Sequence, residues 1–137
     1  MKKKQKRLRK EFEMNFKIVY RDKEIKNVSA SDSNFTSLIK DGMDSNLLLF
    51  MNADSENGSI HIEFGDKCCN IQMDDEEIGE IYGYLDSEQS DEFIDLWANS
   101  YPKNMLCYDA DRLLKIIKTF AETGEPDPDF EWDVQDM

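Results

Sequence analysis

The segment Asp109–Asp133 carries a full set of signals for one amphipathic helix. A short carboxylate at Asp109 or Asp111 can cap this helix, because it accepts hydrogen bonds from the free first-turn amides. Apolar residues then recur at three- and four-residue spacing, which places most of them on one buried stripe. The stripe comprises Leu113, Leu114, Ile116, Ile117, Phe120 and Ala121.

The signals that end the helix are equally clear. Gly124 stands where the chain must turn left-handed, and Pro126 and Pro128 prevent the helix from resuming. Phe130 and Trp132 lie two apart in an extended segment, so both side chains project the same way. We expect them to pack back against the domain.

Before this helix, residues 12–20 and 59–64 alternate apolar with polar side chains, which is the pattern of half-buried strands, and 47–52 is a compact apolar run suited to a central strand. Strands are indicated over 12–20, 24–28, 47–52, 59–64 and 68–73, with 81–85 and 105–108 as further candidates. Short helices are indicated over Ser31–Lys40, ended by Asp41–Gly42, and over Ser90–Ala98. We therefore predict an α+β fold: a single domain in which an antiparallel sheet of about five or six strands packs with two or three helices, the last long and C-terminal.

Charge divides the chain into a basic start and an acidic body. Residues 2–10 hold seven of the 17 basic residues, so we assign 1–11 to a disordered basic arm and 12–137 to the domain. From residue 11 onward the formal charge is −20, and residues 74–137 alone carry 19 acidic and four basic residues. Such a field repels nucleic acid and anionic membranes and attracts basic proteins, although solubility alone also explains an acidic composition.

No signature of catalysis or of metal binding stands out. The single histidine, His61, lies mid-strand, and the three cysteines fit neither a disulfide framework nor a zinc spacing. The acidic run Asp74–Glu77 lacks the alternating ligands of a calcium loop. We therefore predict no catalytic residues, no cofactor and no metal. Because no apolar run approaches a membrane span or a signal peptide, a cytoplasmic protein is expected.

The end of the chain resembles a known family. A helix that ends in Phe120, Thr123 and Gly124, followed by Pro126 and a terminal Trp132, is similar to immunity proteins of bacterial polymorphic toxin systems, first described beside deaminase toxins. A weaker likeness runs through 82–85, and the first 75 residues match only as a run of strands. The resemblance implies a small cytoplasmic α+β protein without catalytic residues, which binds and neutralises one cognate toxin.

The predicted contact surface follows from charge and from this resemblance. A nuclease or deaminase toxin needs a basic cleft, so carboxylates beside exposed aromatic side chains can occupy it. We expect Tyr82 or Tyr84 to serve as anchors and Trp132 to be structural, covering an end of the sheet. The leading alternative is an acidic adaptor or regulatory module unrelated to toxins. The candidate carboxylates are Asp74, Asp75, Glu76, Glu77, Glu80, Asp86, Glu88, Asp91, Glu92 and Asp95.

Overall fold

The computed structural model describes residues 14–54, 58–86 and 90–136. These residues form a seven-stranded antiparallel sheet, a separate two-stranded hairpin and two α-helices. The strands are β1 Asn15–Tyr20, β2 Glu24–Ser29, β3 Leu48–Asp54, β4 Gly58–Phe64, β5 Cys69–Asp75, β6 Glu80–Leu85, β7 Phe93–Asp95, β8 Ser100–Pro102 and β9 Glu131–Asp136. The helices are α1 Phe35–Ser45 and α2 Ala110–Thr123, and one 3₁₀ turn spans Lys103–Met105.

The sheet order is β2-β1-β3-β4-β5-β6-β9, with β7 and β8 pairing only with each other. The five strands indicated over 12–73 are confirmed, and they pair as a hairpin of β1 with β2 and a meander of β3, β4 and β5. Both helices lie on one face of the sheet, where Ile39 of α1 and Phe120 of α2 share a core with the buried strand residues. The opposite face carries the alternate, polar side chains, such as Asn52, His61 and Gln72.

The predicted fold class is wrong in the number and order of its elements. The sheet has seven strands rather than five or six, the described residues contain two α-helices, and the chain does not end in the longer one. After Gly124 turns the chain, β9 forms an antiparallel pair with β6 along its whole length, from Glu131 opposite Leu85 to Asp136 opposite Glu80. The tail is suited to a strand because Trp132 lies between polar neighbours. This period of two places Trp132 on the core face of the sheet and its neighbours on the other face.

The predicted helix over Ser90–Ala98 is wrong. This segment contains β7 and the start of its turn, with Ile94 half-buried, Leu96 buried and Phe93 and Asp95 exposed. A period of two therefore describes it better than a helical period.

The first helix is shifted relative to the prediction. It begins at Phe35 rather than Ser31, and it continues through Gly42 to Ser45. Gly42 lies inside the helix, where a β-carbon would lie 2.3 Å from the side chain of Leu48, so the glycine permits the close approach of Leu48 rather than ending the helix. Asn46, with φ 60°, provides the left-handed residue that ends α1.

The second helix has the predicted ends. The side chain of Asp109 accepts a hydrogen bond from the amide of Asp111, and Gly124 adopts φ 73°. Just before this helix, Cys107 forms an isolated antiparallel bridge with Cys69 rather than a strand over 105–108. Within the described parts of the chain, neither helix is long and apolar enough to span a membrane.

Candidate partner-binding surface

β6 separates the predicted acidic residues into two groups. Asp74, Asp75, Glu76, Glu77 and Glu80 surround the turn that enters this strand, whereas Asp86, Asp91, Glu92 and Asp95 follow its exit. Six residues of strand extend about 20 Å, so the two groups do not form one continuous patch. Glu88 lies outside the described residues.

Part of the turn group has a structural role. The buried carboxylate of Asp75 accepts hydrogen bonds from the amides of Glu77 and Ile78 and so shapes the turn. Asp74 accepts hydrogen bonds from the amide and the hydroxyl of Ser59. Of the carboxylates at this turn, Glu76 and Glu77 are the exposed ones.

The two predicted anchor tyrosines point toward the core. Tyr84 is 1% exposed, and its hydroxyl accepts a hydrogen bond from Arg112 at 2.9 Å. Tyr82 is half-buried and donates a 2.7 Å hydrogen bond to Glu80; burial and this carboxylate raise the pKa of Tyr82. Tyr84 is therefore not available to a partner in this fold.

Two of the three exposed aromatic side chains among the described residues belong instead to the β7–β8 hairpin; the third, Tyr108, is 51% exposed and lies just before α2. Phe93 is 64% exposed and Trp97 is 54% exposed, and Asp95 shares the outer face of β7 with Phe93. Trp97 lies beside Phe50 of β3, with ring centroids 6.5 Å apart. Sequence reasoning missed both residues because it assigned this segment to a helix; the alternation from Phe93 to Leu96 was the signal that could have found them.

A buried carboxylate fixes the hairpin to the sheet. Glu63 of β4 accepts hydrogen bonds from the amides of Ala98 and Asn99, from the side-chain amide of Asn99 and from the hydroxyl of Tyr101. Burial opposes ionisation of Glu63, but these four donors outweigh it, so its pKa lies below the ordinary value. Burial and the hydrogen bond to Glu63 raise the pKa of Tyr101 to about 12.

Apolar packing completes this attachment. Leu96 joins Cys68 and Leu106 in a small second core, against which Ile94 and Tyr101 pack. A β-carbon at Gly65 would lie 2.3 Å from the side chain of Leu96, so the glycine permits the close approach of the hairpin. The hairpin thus has its own core on its inner side, while Phe93 and Trp97 each remain more than half exposed.

Ser59, His61 and Asp74 also meet on the polar face of the sheet. The hydroxyl of Ser59 donates to Asp74 at 2.8 Å and lies 3.1 Å from Nε2 of His61. Since the single hydroxyl proton goes to Asp74, His61 is the donor in its contact with Ser59. This order differs from a catalytic triad, in which histidine accepts the proton of the nucleophile.

The residues of the terminal motif shape the loop between α2 and β9. Thr123 donates to the carbonyl of Thr119 and accepts from the amide of Glu125, next to left-handed Gly124 and Pro126. Phe120 is buried in the main core.

Trp132 connects this loop to the sheet. Its indole N–H donates to the carbonyl of Asp127 at 2.9 Å, and its ring meets Tyr84 edge-on at 6.0 Å. Trp132 lies on the outermost strand, half-buried against the core that the helices cover.

Other features of the described residues offer little chemistry. No group of three or more histidine, cysteine, aspartate or glutamate side chains among them is placed to hold a metal ion. All three cysteines are buried and free. A pocket of about 270 Å³ is lined by Lys40, Met43, Asp44, Lys67, Tyr108 and Ala110.

The sequence matches no protein family model and no curated protein. The fold is similar to that in a crystal structure of a hypothetical protein from Neisseria gonorrhoeae, with 15% sequence identity and a TM-score of 0.55. The alignment covers 93% of this chain and 98% of that chain. At this identity the likeness shows the fold alone.

Proposed function

We propose that this protein is a non-catalytic immunity protein, which binds and neutralises a basic toxin domain. The binding site is the hairpin surface, defined by Phe93, Trp97 and the neighbouring carboxylates Asp91, Glu92 and Asp95. The observation that carries the proposal is the exposure of two large aromatic side chains, each by more than half, on a hairpin that a buried carboxylate holds in place.

Exposed aromatic side chains give the surface its anchors. Aromatic residues are enriched in protein interfaces, where a few of them supply most of the binding energy. The attachment through Glu63 and Leu96 keeps the hairpin rigid, so little ordering entropy is lost when a partner binds.

Charge supports a basic partner. Asp91, Glu92 and Asp95 are exposed beside the two rings, and one of them, Glu92, has Lys103 at 3.7 Å. The body of the chain carries a formal charge of −20 from residue 11 onward. A negative surface of this kind speeds the encounter with a positively charged protein, and a toxin that acts on nucleic acid presents such a surface.

A growth assay tests the proposal. The proposal predicts that a toxin is encoded directly upstream of this protein, and co-expression of the protein with a fragment of that toxin should restore growth. The double variant Phe93→Ala with Trp97→Ala should lose this protection, whereas Leu47→Ala with Ile78→Ala, a matched pair of exposed apolar residues elsewhere, should keep it. Unchanged growth when the protein is omitted would reject the immunity function, and full protection by the hairpin variant would reject the site.

A further inference from the structure

The two edges of the sheet differ in regularity. At one edge, the pairing of β2 with β1 contains a register shift, and Asn27 has φ 62°. At the other edge, β9 pairs with β6 through six consecutive residues, Glu131–Asp136, without a register shift. Irregular pairing prevents another strand from adding to an edge, so β2 is protected in a way that β9 is not.

The outer side of β9 offers backbone hydrogen-bonding groups. The described residues provide no strand beyond it, and alternate residues of an edge strand direct their N–H and C=O groups outward. No proline interrupts the strand, and half of the surface of Val134 is exposed. An extended peptide can therefore extend the sheet here by strand addition.

The side chains of β9 determine which peptide fits. Glu131 and Asp133 lie on the polar face of the sheet with Gln135, whereas Trp132 and Val134 lie on the face covered by the helices. β9 has no basic residue. Soluble proteins commonly protect an edge with lysine, but carboxylates favour an added strand with lysine or arginine at every second position. A second copy of β9 would instead place carboxylates beside carboxylates.

We propose that the outer edge of β9 is a second binding site, which accepts an extended segment of another protein with alternating basic and apolar residues. Basic side chains of the segment pair with Glu131 and Asp133, and its apolar side chains lie along Trp132 and Val134. This site is separate from the hairpin surface, so either proposal can fail without the other.

Backbone methylation separates strand addition from simple charge attraction. The probe is the peptide acetyl-Lys-Val-Arg-Val-Lys-Val-amide, compared with two forms that are N-methylated at its odd or at its even residues. The three peptides have the same charge, but in an added strand only the amides of the odd residues or only those of the even residues face β9. We expect one methylated form to bind at least about tenfold more weakly than the other, because it loses several hydrogen bonds. Equal affinities of the two forms would overturn the proposal.

A charge reversal locates the site on the protein. Glu131→Lys with Asp133→Lys should weaken binding of the unmethylated peptide about tenfold relative to the control Asp41→Lys with Asp44→Lys, which makes the same change of charge on α1. Equal weakening by the two variants would contradict the proposal. The comparison of methylated peptides uses the native protein and decides the question even if the β9 variant fails to fold.

Hydrogen exchange supplies an independent readout. The peptide should slow the exchange of alternate β9 amides, because those amides become hydrogen-bonded. Slow exchange of all β9 amides in the protein without peptide would show that a second copy, or another segment of this chain, already fills the edge. That result would also overturn the proposal.

Discussion

The carboxylate of Glu63 binds Asn99 twice, through its backbone amide and its side-chain amide, each at 2.8 Å. These bonds join the centre of the sheet to the turn of a hairpin 36 residues later in the chain. The turn carries Trp97, one of the two aromatic residues of the hairpin surface. The presentation of this surface therefore depends on one buried side chain that does not belong to it.

Replacing Glu63 should loosen the hairpin. Glu63→Ala removes the acceptor for four donors and should lower the free energy of unfolding by about 2–4 kcal/mol, while Glu63→Gln, which keeps one acceptor oxygen, should cost about half as much. Chemical denaturation measures the change in stability, and faster hydrogen exchange at residues 93–102 locates it. The control Glu122→Gln, on the exposed side of α2, should change neither; uniform exchange across the sheet in the Glu63 variants would refute the local role.

Acid should weaken the same attachment. The pKa of Glu63 is lower in the folded protein than its ordinary value of 4.5, because hydrogen bonds to the carboxylate outweigh burial. The pKa of Asp127, in the loop before β9, is lowered from 3.8 for the same reason. Their stabilisation is therefore complete above pH 4.5 and disappears as the pH falls through the lowered folded values. Stability measured from pH 6 to pH 2 should decline below about pH 4.5 in the native protein and less steeply in Glu63→Gln. Parallel curves would contradict the assignment to Glu63.

Asp127 and Asp129 offer a comparison of a buried with an exposed carboxylate around one lysine. Lys115 donates to both, at 2.9 and 2.7 Å, but Asp127 is 2% and Asp129 is 69% exposed. Asp127 also accepts from Thr119 and from the amide of Asp129. Asp127→Ala should destabilise the fold by about 2–3 kcal/mol, and Asp129→Ala by less than about 1 kcal/mol. Thermal unfolding of both variants checks this, and equal losses would show that burial is irrelevant here.

The aromatic pair should dominate affinity for the partner. Phe93→Ala with Trp97→Ala should weaken binding of the toxin domain at least about a hundredfold, since truncating a central interface aromatic residue commonly costs about 2 kcal/mol or more. Titration calorimetry with the purified domain measures the loss. Leu47→Ala with Ile78→Ala should change the affinity less than about threefold. A similar loss in both pairs would point to a general effect on the fold.

The position of the carboxylates should affect the rate of association with the toxin domain more than the total charge of the protein does. Asp91→Lys with Glu92→Lys changes the hairpin surface, and Glu76→Lys with Glu77→Lys changes the turn at the other end of β6 by the same net charge. The first pair should slow association about tenfold more than the second and should flatten its salt dependence. Stopped-flow mixing at several salt concentrations measures both. Identical rates for the two variants would exclude local steering by the hairpin carboxylates.

Local sequence signals determined the elements whose ends and faces are encoded nearby. Asp109 and Gly124 define both ends of α2, a compact apolar run defines β3 and alternating residues define β4, because capping and side-chain direction depend on neighbours in the chain. The same signals were misread for β7, where the alternation from Phe93 to Leu96 is short and the segment was assigned to a helix.

The tertiary structure alone decided how distant segments combine. It pairs the tail with β6 and attaches the hairpin to Glu63, so that Phe93 and Trp97 are exposed and Tyr84 is buried. It also divides the acidic residues between the two ends of one strand. These arrangements depend on contacts between residues dozens of positions apart, and the free energy of such contacts comes from burial and hydrogen bonding in the folded chain rather than from local propensity.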